Sequence, residues 1–260
     1  MRQLIDQMGR TISVPDVPTR IVSLVPSQTE LLYELGLGAN LVGQTLFCIH
    51  PAEKFKLATK IGGTKKLQIK RIIELNPDLI IGNKEENEKS QIEELEKHFP
   101  VWMSDIADLP QALQMIRQMG NICQKQQVAG RLIDEIEVEF QKLQQQSFKH
   151  RKSLYLIWKD PYMAAGAGTF ISDLMERVGF VNVVEKERYP VMDEMEIQQL
   201  NPELILLSSE PYPFKEKHIQ ELQTILPNVK ILLVDGEMFS WYGSRLSKTA
   251  QYFISLMEML

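Results

Sequence analysis

The chain has 260 residues, 44% of them hydrophobic and 24% charged, with a formal net charge of −5. That length accommodates two domains of ordinary size, and the balance is that of a soluble globular protein without the basic footprint of nucleic-acid binding. No window approaches the roughly 18 uninterrupted apolar residues of a membrane span, and two cysteines, Cys48 and Cys123, are too few for a disulfide framework.

The N-terminal stretch Met1 to Met8 has neither an apolar h-region nor a small-residue cleavage site. Two placements therefore stand: a cytoplasmic protein, or an exported one whose export segment lies outside this sequence. Arg20 to Val25 is a short apolar run ending at Pro26 and reads as a buried strand. Ser27 followed by Glu30 has the spacing of a capping box, which predicts a helix from there to Gly36, a favoured residue just past a helix end. Leu41 to Gly43 is the next strand, so the chain opens strand–helix–strand, the unit of a parallel sheet.

The segment Ile72 to Ile81 (Ile-Ile-Glu-Leu-Asn-Pro-Asp-Leu-Ile-Ile) returns about half a chain later as Ile197 to Leu206 (Ile-Gln-Gln-Leu-Asn-Pro-Glu-Leu-Ile-Leu). In each copy a helical pattern stops at Asn-Pro, because the residue before proline avoids the α region, and an apolar strand follows. A looser echo relates Leu31, Glu34 and Gly36 to Leu174, Arg177 and Gly179. Such duplication predicts two similar halves, and two halves facing one another would make a cleft for a small molecule. Beyond Gly82-Asn83 the pattern predicts a charged helix from Glu85 to His98 and a strand at Val101 to Met103.

From Gln124 to Gln146 the apolar residues Val128, Leu132, Ile136, Phe140 and Leu143 recur every three or four positions, one stripe of a single helix about 35 Å long. It reads as a rigid connector. The expected organisation is an N-terminal lobe over 1–122, a connector helix over 123–147 and a C-terminal lobe over 148–260. The second half begins with a strand at Leu154 to Trp158 and a Gly/Ala loop, Ala164 to Thr169. Helix from Phe170 to Val178, strands at Glu203 to Leu207 and Ile231 to Val234, and a closing helix from Ser244 to Leu260 complete it. The fold class is α/β: two similar lobes with mainly parallel sheets, one long connector helix and a ligand cleft between lobes.

No nucleophile elbow, zincin or Walker sequence is present. Gly166-Ala167-Gly168 lacks the third glycine of a dinucleotide loop and reads as a flexible loop. Cys48 and His50 are a soft and a borderline metal ligand two residues apart; they read either as a site for a free metal ion or as a partly buried thiol beside a loop histidine. The other histidines, His98, His150 and His218, fall on patterns of solvated helix faces, and no complete protein metal site can be assembled. Phe47, Trp158, Tyr162, Phe239, Trp241 and Tyr242 lie at strand ends or in the loops that follow, as suits a large flat ligand, and about half are expected to face it. Arg245 could offer a bidentate donor to a ligand carboxylate or phosphate, or pair with Glu237. Glu85, Glu86 and Glu88 follow the first echo strand, and Asp193, Glu194 and Glu196 precede the second; they read as solvated faces or as one acidic docking knob per lobe.

The order of Arg20 to Leu32 (Arg-Ile-Val-Ser-Leu-Val-Pro-Ser-Gln-Thr-Glu-Leu-Leu), Ile61-Gly62-Gly63 and Leu75 to Ile80 resembles the helical-backbone class of ABC-transporter substrate-binding proteins, which serve cobalamin, haem and ferric siderophores. The cobalamin-binding branch is most similar, and the resemblance runs over about residues 11 to 258. It implies a non-enzymatic, monomeric receptor at the periplasm or membrane surface. That receptor would hold a metal chelate, a corrinoid first and a ferric siderophore or haem next, with no cofactor of its own. It also implies that one carboxylate per lobe, Glu88 and Glu194, docks to basic residues of an ABC permease. A cytoplasmic corrinoid-handling protein or enzyme on the same scaffold, and a free-metal receptor using Cys48 and His50, are the alternative readings.

Overall fold

In both copies of the repeated phrase the asparagine before proline takes the left-handed backbone conformation, with φ of 44° at Asn76 and 46° at Asn201. Asparagine tolerates this region better than most residues. Each copy thus ends a helix and throws the chain back antiparallel into a strand. The residue after proline then does the same work twice. Asp78 accepts hydrogen bonds from the backbone N–H groups of Thr19 and Arg20 at 2.8 and 2.9 Å, and from the Thr19 hydroxyl at 2.9 Å. Glu203 accepts from the backbone N–H of Lys152 at 3.0 Å. In both cases the acid pins the entry of the strand that becomes the centre of its sheet. Arg20 adds to the first latch by donating to the carbonyls of Asn76 and Leu75, the last carbonyls of the helix before it.

The structure, a computed structural model, describes residues 1–260. It opens with a hairpin of β1 (Arg2–Ile5) and β2 (Thr11–Val14), whose turn is held by buried Asp6 accepting from the backbone of Met8 and Arg10 and from the Arg10 side chain. Then follow β3 (Ile21–Ser23), α1 (Pro26–Glu34), β4 (Leu41–Gln44), β5 (Thr59–Lys60), α2 (Ile69–Leu75), β6 (Leu79–Asn83), α3 (Lys89–Glu96) and β7 (Val101–Ser104). The first sheet has the order β5-β4-β3-β6-β7, every pair parallel, with Ile21 opposite Leu41 on one side and Leu79 on the other. Its central strands are continuously buried, the pattern of a parallel sheet covered on both faces.

Two helices come next, α4 (Leu109–Ile122) and α5 (Gln126–Gln144), separated where Gln124 takes φ of 55°. Along α5, Ala129, Leu132, Ile133, Ile136, Phe140 and Leu143 are buried, and Val128 is half-buried. The chain divides into two compact units: residues 1–106, 110–136 and 241–245 form one, and residues 107–109, 137–240 and 246–260 the other. The division falls inside α5, and the first unit takes back a short stretch from near the end of the chain.

The second unit holds β8 (Arg151–Trp158), β9 (Tyr162–Ala164), α6 (Phe170–Arg177), β10 (Phe180–Asn182), β11 (Val191–Met192), α7 (Glu194–Gln199), β12 (Leu204–Ser208), α8 (Glu216–Ile225), β13 (Lys230–Val234), α9 (Glu237–Ser240) and α10 (Leu246–Glu258). Its sheet runs β11-β9-β8-β12-β13, with β10 also parallel to the start of β8. The repeat is visible in the topology. β8, β12 and β13 are parallel as β3, β6 and β7 are, and β10 stands beside β8 as β4 does beside β3. Gly36 and Gly179, the looser echo, both have positive φ just past a helix.

Two sequence expectations are corrected. The spacing of Ser27 and Glu30 is not a capping box: α1 begins at Pro26, its N-cap is Val25, and no side chain caps it. Proline pre-sets the first helical turn and has no N–H to satisfy, which moves Ser27 inside the helix. The Ala164 to Thr169 loop is not a flexible loop, because Gly166 and Ala167 donate backbone hydrogen bonds to Arg188 and Lys186.

If the two acids are latches, Asp78→Ala lowers the unfolding free energy in urea by about 1–2 kcal/mol and Glu203→Ala by about half of that. Losses indistinguishable from zero at both positions would remove the latch.

Candidate functional site

In a parallel α/β sheet the loops leaving the carboxyl ends of the strands gather at one edge, where ligands bind. At that edge of the first sheet lie the start of α1 after β3, residues 45–50 after β4 and residues 84–88 after β6. The returning segment Trp241 to Arg245 packs onto these loops. A side chain at Gly243 would put its Cβ 2.9 Å from the Ser27 carbonyl oxygen, so the close approach requires glycine. Trp241 and Tyr242 are 7% and 6% exposed.

Three contacts fix the segment. The His50 ring meets Trp241 edge-on at 5.4 Å between centroids. The Tyr242 hydroxyl donates to Glu86 at 3.3 Å. Arg245 donates from Nε and Nη2 to the two carboxylate oxygens of Glu30, at 3.1 and 2.7 Å, while its Cζ sits 4.7 Å from the Trp241 ring centre. A bidentate ion pair and a cation–π contact together anchor this arginine. Arg245 thus pairs with Glu30, whose spacing from Ser27 suggests helix capping.

Beside this cluster Phe47 is 58% exposed, between exposed Leu46 and Ile49, and its ring packs 3.1 Å from where a Gly63 side chain would begin. Cys48 points the other way: it is fully buried, and its Sγ lies 3.0 and 3.1 Å from the hydroxyls of Thr29 and Thr45. Burial pushes its thiol up, against those hydrogen bonds, so it stays protonated at neutral pH. His50 and Cys48 are thus turned to different surroundings. No group of three or more His, Cys, Asp or Glu side chains is placed to hold a metal ion.

In the second unit Trp158, at the end of β8, is 41% exposed and meets Tyr212 edge-on at 5.6 Å. Tyr212 in turn packs on Phe214 and His218. Tyr162 belongs to the apolar core of this unit and is 8% exposed, burial pushing its phenol up. Phe239 is fully buried among Tyr155, Tyr252 and Phe253. His218 is not on a solvated helix face, as its pattern suggested, but buried: its Nδ1 accepts from the backbone N–H of Lys215 at 2.8 Å, which caps α8 and places the ring proton on Nε2 beside the Tyr212 hydroxyl.

The acidic clusters separate into bound and open members. Asp193 and Glu196 form a reciprocal capping box at the start of α7, and Glu196 also pairs with Lys186 at 2.8 Å. Glu194, beside them, is exposed. In the first unit Glu86 accepts from Tyr242, whereas Glu88 stands exposed at the N-cap of α3 with no capping hydrogen bond. Both open carboxylates lie at the first turn of a helix, at the carboxyl edge of their own sheet.

A sequence profile of the periplasmic binding protein family matches residues 21–226. The vitamin B12-binding protein of Pectobacterium atrosepticum is 23% identical over 254 residues, covering 94% of this chain and 90% of the relative. Among solved structures, the periplasmic vitamin B12 binding protein of Vibrio cholerae aligns with a TM-score of 0.81 at 20% identity, covering 94% of this chain and 98% of that one. The periplasmic heme-binding protein of Roseiflexus, in apo form, aligns at 0.78 and 20% identity, covering 92% and 96%.

Burial lowers the pKa of His218 most; Lys217, Lys159 and Lys215 lower it further, and Glu221 opposes. The unfolded chain takes up a proton near the ordinary histidine pKa that the folded state resists, so stability is full above that pH and declines as pH falls towards the lowered value. The thermal midpoint is expected to drop between about pH 7.5 and about pH 5.5, and His218→Gln to remove most of the drop. An undiminished pH dependence in the variant would contradict the assignment.

Proposed function

The chain belongs to the periplasmic binding protein family, whose members are non-enzymatic substrate-binding components of ABC importers, and from that premise we propose that it binds a metal chelate, a corrinoid such as cobalamin first and haem or a ferric siderophore next. The observation that carries the reading is the aromatic and charged cluster at the carboxyl edge of the first sheet, where Trp241, His50 and Arg245 are locked together beside exposed Phe47. The exposed Phe47 ring offers apolar area on this loop, with the polar groups of the buried cluster behind it, which suits a macrocycle carrying amide or carboxylate arms. In the second unit Trp158 is the corresponding candidate. The buried, protonated Cys48 favours an intact chelate over a bare metal ion held by Cys48 and His50.

Several relatives bear the name vitamin B12-binding protein, which ranks cobalamin first among the chelates. We place the protein at the periplasm or membrane surface, as a monomer that delivers its ligand to an ABC permease; none of its own helices is long and apolar enough to cross a membrane. Glu88 and Glu194 are the proposed docking carboxylates, because they are the open members of clusters whose other acids are engaged within the fold.

Titrating the purified protein with cyanocobalamin, haemin and ferric siderophores, followed by tryptophan quenching, is expected to give micromolar or tighter binding for at least one, with cyanocobalamin foremost. Absence of binding to all three at that concentration sinks the proposal. For docking, Glu88→Ala combined with Glu194→Ala is expected to cut cellular uptake while ligand affinity is retained; wild-type uptake in the double variant counts against it.

A further inference from the structure

We propose that Glu30 sets the charge class of ligand that the protein accepts, acting through Arg245; this rests on the reading of the Trp241–Arg245 segment as part of the ligand site. The pair is largely sequestered, with side chains 10% exposed for Arg245 and 17% for Glu30. Two of the five N–H donors of the guanidinium are committed to Glu30, and its Cζ lies 4.7 Å from the Trp241 ring centre, over the ring. The arginine therefore braces Trp241 from within, while its charge is offset by a carboxylate at hydrogen-bond distance.

Neutralisation at this place has a consequence for selectivity. An anionic ligand approaching the cluster gives up hydration without meeting an uncompensated cation. A large ligand of little net charge, with amide arms, gives up less and gains the same apolar contact with exposed Phe47. Helix formation does not account for the acid: α1 starts on Pro26 without any side-chain cap, and Glu30 lies beyond its first turn. Glu30 is thus a positioning and specificity-determining residue, favouring a near-neutral chelate over a polyanionic one.

The test compares dissociation constants for cyanocobalamin, which has no net charge, and haemin, which carries two carboxylates, in wild type, Glu30→Gln, Arg245→Met and the double variant. In Glu30→Gln the ratio of affinities is expected to shift about tenfold towards haemin, equivalent to about 1.4 kcal/mol, and the shift to shrink in high salt. Arg245→Met, which leaves the carboxylate without its cation, is expected to move the ratio the other way, and keeps the test alive should Glu30→Gln fold poorly. The double variant is expected to show no shift towards haemin. A ratio unmoved in both single variants, or the same haemin gain in the double variant, overturns the inference while leaving chelate binding intact. Wild type that binds neither probe overturns the reading of the site and the inference with it.

Discussion

The ion pair between Arg245 and Glu30 is the contact on which the candidate site depends. Its partners stand 215 residues apart in sequence, and it binds the returning segment Trp241 to Arg245 to loops laid down at the start of the chain. Charges so far out of water are costly unless paired with good geometry, and leaving one of them alone costs several kcal/mol. The bidentate fork, the cation–π contact with Trp241 and the close approach at Gly243 together define one arrangement of this segment. Around it stand the other candidate contacts of the first unit, His50 on the edge of Trp241 and Glu86 under the Tyr242 hydroxyl.

Beneath the site lies a framework built twice. In each unit a helix ends on a left-handed asparagine, proline turns the chain, and an acid pins the backbone of the central strand. The latch orders the amino ends of the central strands, which leaves their carboxyl ends to vary. The variation is plain: after β8 the second unit inserts β9, antiparallel to β8, and pairs β11 antiparallel to β9, whereas the first sheet continues with parallel strands only. The common framework makes the units similar, and the divergent loops make one edge of each available for function.

What the sequence disclosed and what it withheld divide along the range of the interactions. The two-lobed α/β class, the parallel strands and the helix stops at Gly36, Asn76 and Asn201 follow from short periodicities and local backbone preferences, and these are written in neighbouring residues. The family resemblance carried the transport class, which the profile match over residues 21–226 supports. Glu30 was misread because its local spacing from Ser27 imitates a cap, and only Pro26 at the first helical position and a partner far along the chain decide otherwise. His218 sits among charged residues of α8, so its pattern looks solvated; its burial comes from Tyr212 and Phe214, which no helical period announces. The β1–β2 hairpin has no signal in the local pattern, and its turn is held by one buried carboxylate, Asp6, while Arg2 and Gln7 tie it to α4. The acidic run at residues 193–196 could be sorted into cap and open surface only once the α7 capping box was seen.

A crystal structure of the protein grown with cyanocobalamin tests the central claim most directly. The account predicts corrin density in van der Waals contact with Phe47, His50 and Trp241, with Arg245 still forked onto Glu30. A bound corrin away from these residues, or an Arg245 that leaves Glu30 to meet the ligand, would contradict it.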